Sequence, residues 1–214
     1  PGAQIHFGGI KISPDTDSRF YDAASGYKYN HLTLMGFSLT HLSGTGIPDL
    51  GDFLFIPGTG EMKLEPGTHE DPDQGYRSRY SHDKEWASPN YYAVELADYG
   101  VKAEMTSGVR SGMFRFTYPE SDNAFIMIDM NHTLWQSCEW SNLRMINDST
   151  ITGYKLVKGW GPERHVYFTA TFSKKLTGLR FVQDKKPVIY NTSRFRSSYE
   201  AWGKNLMACI SFDT

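Results

Sequence analysis

From Asn90 onward the chain is a nearly unbroken series of short strand-like segments. Nowhere in its 214 residues does a stretch of 11 or more show a convincing 3.6-residue apolar period. Tyr91–Leu96 (YYAVEL) and Val101–Thr106 (VKAEMT) alternate, and Ala97-Asp98-Tyr99-Gly100 between them reads as a hairpin connection. Val109–Tyr118 alternates imperfectly, with Met113 out of phase, and Ala124–Met130 is apolar on both faces except at Asp129. Thr150–Val157, His165–Ser173, Leu179–Val182, Pro187–Tyr190 and Leu206–Phe212 follow, spaced by short turns. Strands so closely spaced bury their apolar faces by stacking sheets. The expected fold is therefore all-β, an antiparallel β-sandwich with few helices.

The first ninety residues are less regular. Residues 5–12 (IHFGGIKI) read as a strand ended by the turn Ser13-Pro14-Asp15, and Ser25-Gly26 marks a further break. Strand character returns over 27–37 and 53–56 (FLFI), the latter terminated by Pro57-Gly58. Residues 58–90, with Pro66, Pro72, Pro89 and the acidic run HEDPD, form a segment too long for a simple connection. Such loops are functional or mobile. No repeat, linker or low-complexity tract divides the chain, so residues 1–214 read as one domain.

Composition excludes several function classes. A formal charge of −2 provides no general attraction to nucleic acid or an anionic membrane. No run of 18 apolar residues is present, so no membrane-spanning helix is expected. The chain opens at Pro1 without the charged and apolar regions of a signal peptide. Cys138 and Cys209 are compatible with one disulfide, but sequence alone leaves their pairing open. Aromatic residues make up 14% of the chain, with 13 Tyr, 13 Phe and 5 Trp, which suits both pleated sheets and carbohydrate sites.

The stretch Tyr27–Asp52 (YKYNHLTLMGFSLTHLSGTGIPDLGD) concentrates chemistry. It begins apolar and changes at His41, after which Ser43, Gly44, Gly46, Asp49, Gly51 and Asp52 crowd together, with Thr40 just before. Glycines let a backbone turn sharply and approach a ligand, and Pro48 fixes one φ angle. The imidazole, hydroxyl and carboxylates can exchange hydrogen bonds with sugar hydroxyls. His41, Ser43, Gly44, Asp49 and Asp52 are therefore candidate substrate-binding residues. Against this stands an ordinary turn in which Asp49 and Asp52 cap backbone amides.

Other constellations are weaker. Glu70-Asp71-Pro72-Asp73-Gln74-Gly75 lacks EF-hand spacing and reads as a solvated acidic loop. His69, His82, His132 and His165 are scattered without zinc-ligand spacing, and no GxSxG elbow occurs. Gly44–Gly46 opens no helix and is no phosphate cradle. Arg77, Arg79, Arg110, Arg115, Arg194 and Arg196 alternate with aromatics and are expected to face solvent or pair with carboxylates. Trp86, Trp135, Trp140, Trp160 and Trp202 are possible sugar platforms, though a buried or half-buried structural role is the commoner one for Trp. Trp86 and Trp160 lie in polar contexts (DKEWASP, KGWGPE) that suit exposed platforms, and Trp86 joins the candidate substrate-binding residues.

Four blocks carry a resemblance. They are PGA…FGGIKISPDT, GYKYNHLTLMGFSLTHLSGTG..DLGDFLFIPGTG, SRYSHDKEWASPNYYAVELADYGVKAEMTSGVRSGMFRFTYP and ITGYKLVKGWG…RHVYFTATFSK. In order and from end to end, they resemble the calcium-dependent, exo-acting α-mannosidases of glycoside hydrolase family 92. His6 stands where that family has a proline, a departure that bears on turn geometry. The resemblance implies a supersandwich-like N-terminal domain packed on a C-terminal (α/α)₆ barrel that this chain lacks. It implies the sugar at the junction, with the general acid, the general base and the Ca²⁺ ligands mainly in the barrel. Expected partners are mannose-containing glycans, with α-1,2 linkages foremost, and the catalytic domain of the same polypeptide, in a periplasmic or extracellular setting. No catalytic or metal-binding residue is assigned here. Inverting hydrolysis needs carboxyls roughly 6.5–9.5 Å apart, and nothing in a glycine-rich loop fixes that for Asp49 and Asp52. The alternative is a free-standing carbohydrate-binding sandwich or lectin.

Overall fold

The computed structural model describes residues 1–19, 21–43, 46–189 and 199–212. Among the described residues, strands make up 48% and helical turns 4%, the latter as the 3₁₀ turns Tyr21–Ala23, Pro72–Gln74 and His82–Lys84. The all-β expectation holds, and the sheet pairings are antiparallel.

The centre is a seven-stranded sheet whose middle strands are Leu54–Thr59, Ala124–Asp129 and Leu206–Ser211, paired in that order. Each of the three is buried along almost its whole length. Successive side chains point to opposite faces, so two separate cores result. Phe55, Ile126, Ile128, Ala208 and Ile210 line one face, and Leu54, Ile56, Phe125, Met127 and Cys209 the other. Two four-stranded sheets cover this face. One is the meander Glu85–Ser88, Tyr91–Leu96, Val101–Ser107 and Gly112–Thr117. It meets the first core through Phe114 and Phe116, while its buried Tyr92, Val94, Leu96, Val101, Ala103 and Met105 form a third core with Leu34 and Phe37. The other closes the first core and orders Arg164–Thr171, Thr150–Lys158, Ser137–Asn147 and Glu200–Gly203.

The second core is closed by the irregular 58–90 segment, from which Met62, Leu64 and Tyr76 pack onto the sheet. That segment is therefore part of the wall as well as a long connection. Pro57 does not end its strand, which runs to Thr59. A proline is tolerated there because the neighbour on one side, Gly36–Ser38, meets the strand only at Phe37↔Phe55, leaving that edge open at Pro57.

Residues 5–12 form no strand. Only the bridge Ala3↔Ile12 survives, and the chain turns at His6-Phe7, with Phe7 in the left-handed region at φ 57°. The strand expected over 27–37 breaks into Thr33–Leu34 and Gly36–Ser38, and Ser137–Asn147 is a strand the alternation did not reveal. Tyr190 of the expected Pro187–Tyr190 strand lies outside the described residues, as do Arg194 and Arg196. Cys138 and Cys209 are buried and unpaired, and burial raises both thiol pKa values. All five tryptophans are exposed, against the commoner structural role.

Candidate functional site

The hub of the polar interior is Asp15, at the end of the strand Ser13–Asp15 and wholly buried. Gly26 faces it at φ +87°, and a Cβ there would lie 2.1 Å from Asp15 Oδ1, so only glycine fits. His41 Nε2 lies 2.6 Å from Oδ1, while Ser38 Oγ at 2.6 Å and His132 Nε2 at 2.7 Å reach Oδ2. His41 Nδ1 lies 2.8 Å from the Lys11 carbonyl oxygen, so each ring nitrogen faces an oxygen of the domain's own. Burial alone pushes the Asp15 pKa up. The charge of His41, the hydrogen bonds from His132 and His41 and the charge of His132 more than reverse that, holding the carboxyl well below its usual range.

A second network lies beside it. Leu39 and Asp52, Thr40 and Gly51, and His41 and Leu50 are paired through backbone contacts, making residues 39–52 a hairpin-like loop. Asp52 at its base accepts from Thr40 Oγ1 at 2.7 Å and from Arg164 Nη1 at 2.5 Å. Lys155 Nζ lies 3.2 Å from Asp52 Oδ1, both side chains with no exposure, and donates to the His132 carbonyl at 2.7 Å. His132 thus joins the two networks, by its ring to Asp15 and by its carbonyl to Lys155. Burial raises the pKa of Asp52, and Lys155, Arg164 and Thr40 outweigh it to give a net lowering. Asp49 Oδ1 accepts from the Leu50 amide at 2.6 Å, with Arg164 Nη2 3.9 Å away.

The candidate residues are therefore distributed unevenly. His41 and Asp52 lie inside the domain, bonded to its own groups. Asp49 is partly buried and caps a neighbouring amide. Ser43 sits at the exposed tip beside exposed Leu42, and Gly44 lies outside the described residues. Trp86 is 65% exposed but belongs to another sheet, opposite Ala93.

Two adjoining cavities, about 450 and about 750 Å³, share Ser18, Arg19, Met35 and Pro66 in their walls. The smaller includes His132, Asp129, Asn131 and Glu65, and the larger Asp17, His31, His69, Glu70 and Arg77. Arg77 departs from the solvent-facing expectation. It is only 5% exposed, and its Nη1 donates to the Thr16 carbonyl at 2.6 Å, while its buried Nε has no hydrogen-bond partner. His69 Nδ1 lies 2.9 Å from Thr33 Oγ1, and the His31 and His69 rings are 4.0 Å apart. Burial lowers the pKa of both, aided for His31 by the charge of His69 and for His69 by that of Arg77. Neutral donors and acceptors of this kind suit hydroxyl-rich ligands. The sequence offered no pattern for this wall, because its residues come from separate turns.

Among the described residues no group of three or more His, Cys, Asp or Glu side chains is placed to hold a metal ion. The Asp15 cluster is rich in imidazole and its atoms are spent on one another, unlike the oxygen cage that calcium takes.

Comparison with known proteins fits this architecture. No curated protein matches the chain. Among solved structures, the family GH92 alpha-mannosidase BT3965 from Bacteroides thetaiotaomicron is 99% identical with a TM-score of 0.96, over 100% of this chain and 29% of that one. The same alpha-mannosidase in complex with mannoimidazole matches equally, over 28% of its chain. The GH92 family glycosyl hydrolase ccman5 is 25% identical with a TM-score of 0.78, over 99% of this chain and 28% of that one. The present chain thus spans less than a third of the length of these relatives. Residues 1–214 match, throughout, the family described as Glycosyl hydrolase family 92 N-terminal domain, and the chain belongs to that family.

Proposed function

We propose that this chain is the N-terminal β-sandwich of an exo-acting α-mannosidase that releases α-1,2-linked mannose from glycans outside the cytoplasm. The observation that carries the reading is the family match over residues 1–214, joined to 99% identity with part of an alpha-mannosidase. In this reading the sandwich packs on an (α/α)₆ barrel of the same polypeptide, which supplies the acid, the base and the Ca²⁺ ligands.

The internal carboxylates support that division of labour. A general acid needs a raised pKa. Asp15 and Asp52 are instead lowered and ion-paired, so they are suited to holding structure. The domain's share in the sugar cleft falls to the polar cavity walls around Arg77 and His132 and to the tip of the 39–52 loop at Ser43. His41, Asp49 and Asp52 hold that tip from beneath. The free-standing lectin reading has only the exposed aromatics in its favour.

The test is mannose release from an α-1,2-linked mannose disaccharide by the full-length protein, with and without a calcium chelator. Release that the chelator abolishes is expected. Absence of release with calcium present overturns the reading.

A further inference from the structure

The 137–203 sheet turns Leu143, Ile151 and Ala201 into the first core, so residues in the opposite phase face outward. The register sets four of these, Trp202, Asn142, Tyr154 and Tyr167, in one row across all four strands. Trp202 is 55% exposed and Tyr167 71%. The Tyr154 and Tyr167 rings lie 4.9 Å apart and 35° from parallel, the spacing of an offset stack, and Tyr154 Oη meets His165 Nδ1 at 2.9 Å. Asn142 is the short side chain of the row. It leaves a gap between the paired phenols and the Trp202 indole, whose strands are two spacings, or about 10 Å, apart. Asn142 Nδ2 donates to Glu200 Oε1 at 3.0 Å and to the Ala201 carbonyl at 3.2 Å, which fixes the amide on the floor of that gap.

Rings alone would suit any apolar partner. Here hydrogen-bonding side chains are interleaved with them. Asn142 lies between Trp202 and Tyr154, Thr152 and Thr169 are in the next row on one side, and His165 is in the next row on the other, with Leu156 and Trp140. A pyranose needs both at once, because its C–H groups stack on a ring face while its hydroxyls need donors and acceptors at the rim. The fully buried centre of a protein interface is more apolar than this. Charges on the face are matched in sign, with Arg144 opposite Glu200 and Lys204 Nζ 3.1 Å from Glu139, so a neutral ligand fits better than an ionic one. The meander also exposes Trp86 and Met113, but singly, opposite Ala93 and Thr106.

We propose that the outer face of the 137–203 sheet is a glycan-binding surface for a neutral oligosaccharide chain, with one pyranose seated between Trp202 and Tyr154 above Asn142. The class of glycan, mannose-containing, rests on the proposed function. The surface adds a second place to hold such a chain, across the central sheet from the cavities around Arg77 and His132. The smaller cavity is walled by Met35, Tyr76 and Met207 of the second core, whereas this sheet covers the first.

Affinity electrophoresis of the full-length protein through gels containing soluble α-mannan tests this, with mannoimidazole present at saturation to fill the cleft that releases mannose. Retardation is expected to persist under mannoimidazole. Trp202→Ala is expected to raise the α-mannan Kd about tenfold, and Met113→Ala, on the meander, to leave it unchanged. Tyr167→Ala, on an edge strand, serves as the second variant should Trp202→Ala fail to fold, and the same loss of affinity is expected. Retardation that mannoimidazole abolishes, or that both aromatic variants leave unchanged, overturns the proposal. Absence of retardation, with an oligomer that Trp202→Ala dissociates, makes the face a contact between copies and also overturns it. Mannose release without mannoimidazole is a separate readout, so the proposed function and this surface can fail independently.

Discussion

Asp15 shows how much of this molecule depends on single charged groups that never reach water. Its carboxyl is held below the usual range by His41 and His132 against the opposing effect of burial. The folded-state pKa lies below the unfolded value of about 3.9, so the linked stability is fully present above that pH and is lost as pH falls through the folded value. The melting temperature is therefore expected to fall steeply below about pH 4. Asp15→Asn should cost roughly 3 kcal/mol at neutral pH, because it strands imidazoles in the interior, and should flatten part of the acid slope. Melting curves of both proteins from pH 7 to pH 3 check this, and parallel slopes would refute it. Sequence reading singled out His41 and Asp52 for their chemistry but missed Asp15, His132 and Lys155. Asp15 and His132 are 117 positions apart, and no local pattern announces such a contact.

Individual strands are held in register by a local device, the pairing of a glycine with a ring. Gly153 lies opposite Phe168, and a Cβ on Gly153 would sit 2.1 Å from that ring. Gly58 stands in the same relation to Phe125 in the central sheet, at 2.4 Å. In each case the ring covers backbone that a side chain would otherwise occupy. Gly153→Val is expected to displace Phe168 from its contacts with Phe53 and Phe55 and to destabilise the domain by about 1–3 kcal/mol. Chemical denaturation of the variant measures this, and an unchanged midpoint would show that the ring moves at no cost. At this scale the hairpin at Tyr91–Leu96 and Val101–Ser107 was legible, because alternation and a turn are local signals. Ser137–Asn147 was not, because its register shifts between Cys138 and Trp140 and again between Met145 and Asn147, which interrupts the period of two.

For the whole molecule, the order of the central sheet sets the order of stability. Leu54–Thr59, Ala124–Asp129 and Leu206–Ser211 are enclosed on both faces, whereas the 39–52 loop hangs from a short base with an exposed tip. Native-state hydrogen exchange should find the amides of those strands the last to exchange, at the free energy of global unfolding, and the loop amides beyond His41 among the first. Equal protection in the loop and the central strands would contradict this layering. The same layering explains why residues 58–90 are irregular and yet packed. They cover the second core without adding a strand to it, as Met62, Leu64 and Tyr76 do.

Sequence alone determined that this chain is built of strands, that Ala124–Met130 is apolar on both faces except at Asp129, and that its blocks resemble one glycosidase family. Each of those follows from short-range information, whether alternation, an unbroken apolar run or a preserved motif. Only the tertiary structure decided which carboxylates are buried and which groups pair with them, and that the cavity wall is Arg77, His31 and His69 while the glycine-rich loop stands apart. The reason is physical. A side chain's alternation is set by its own backbone, but its partner is set by which distant strands become neighbours.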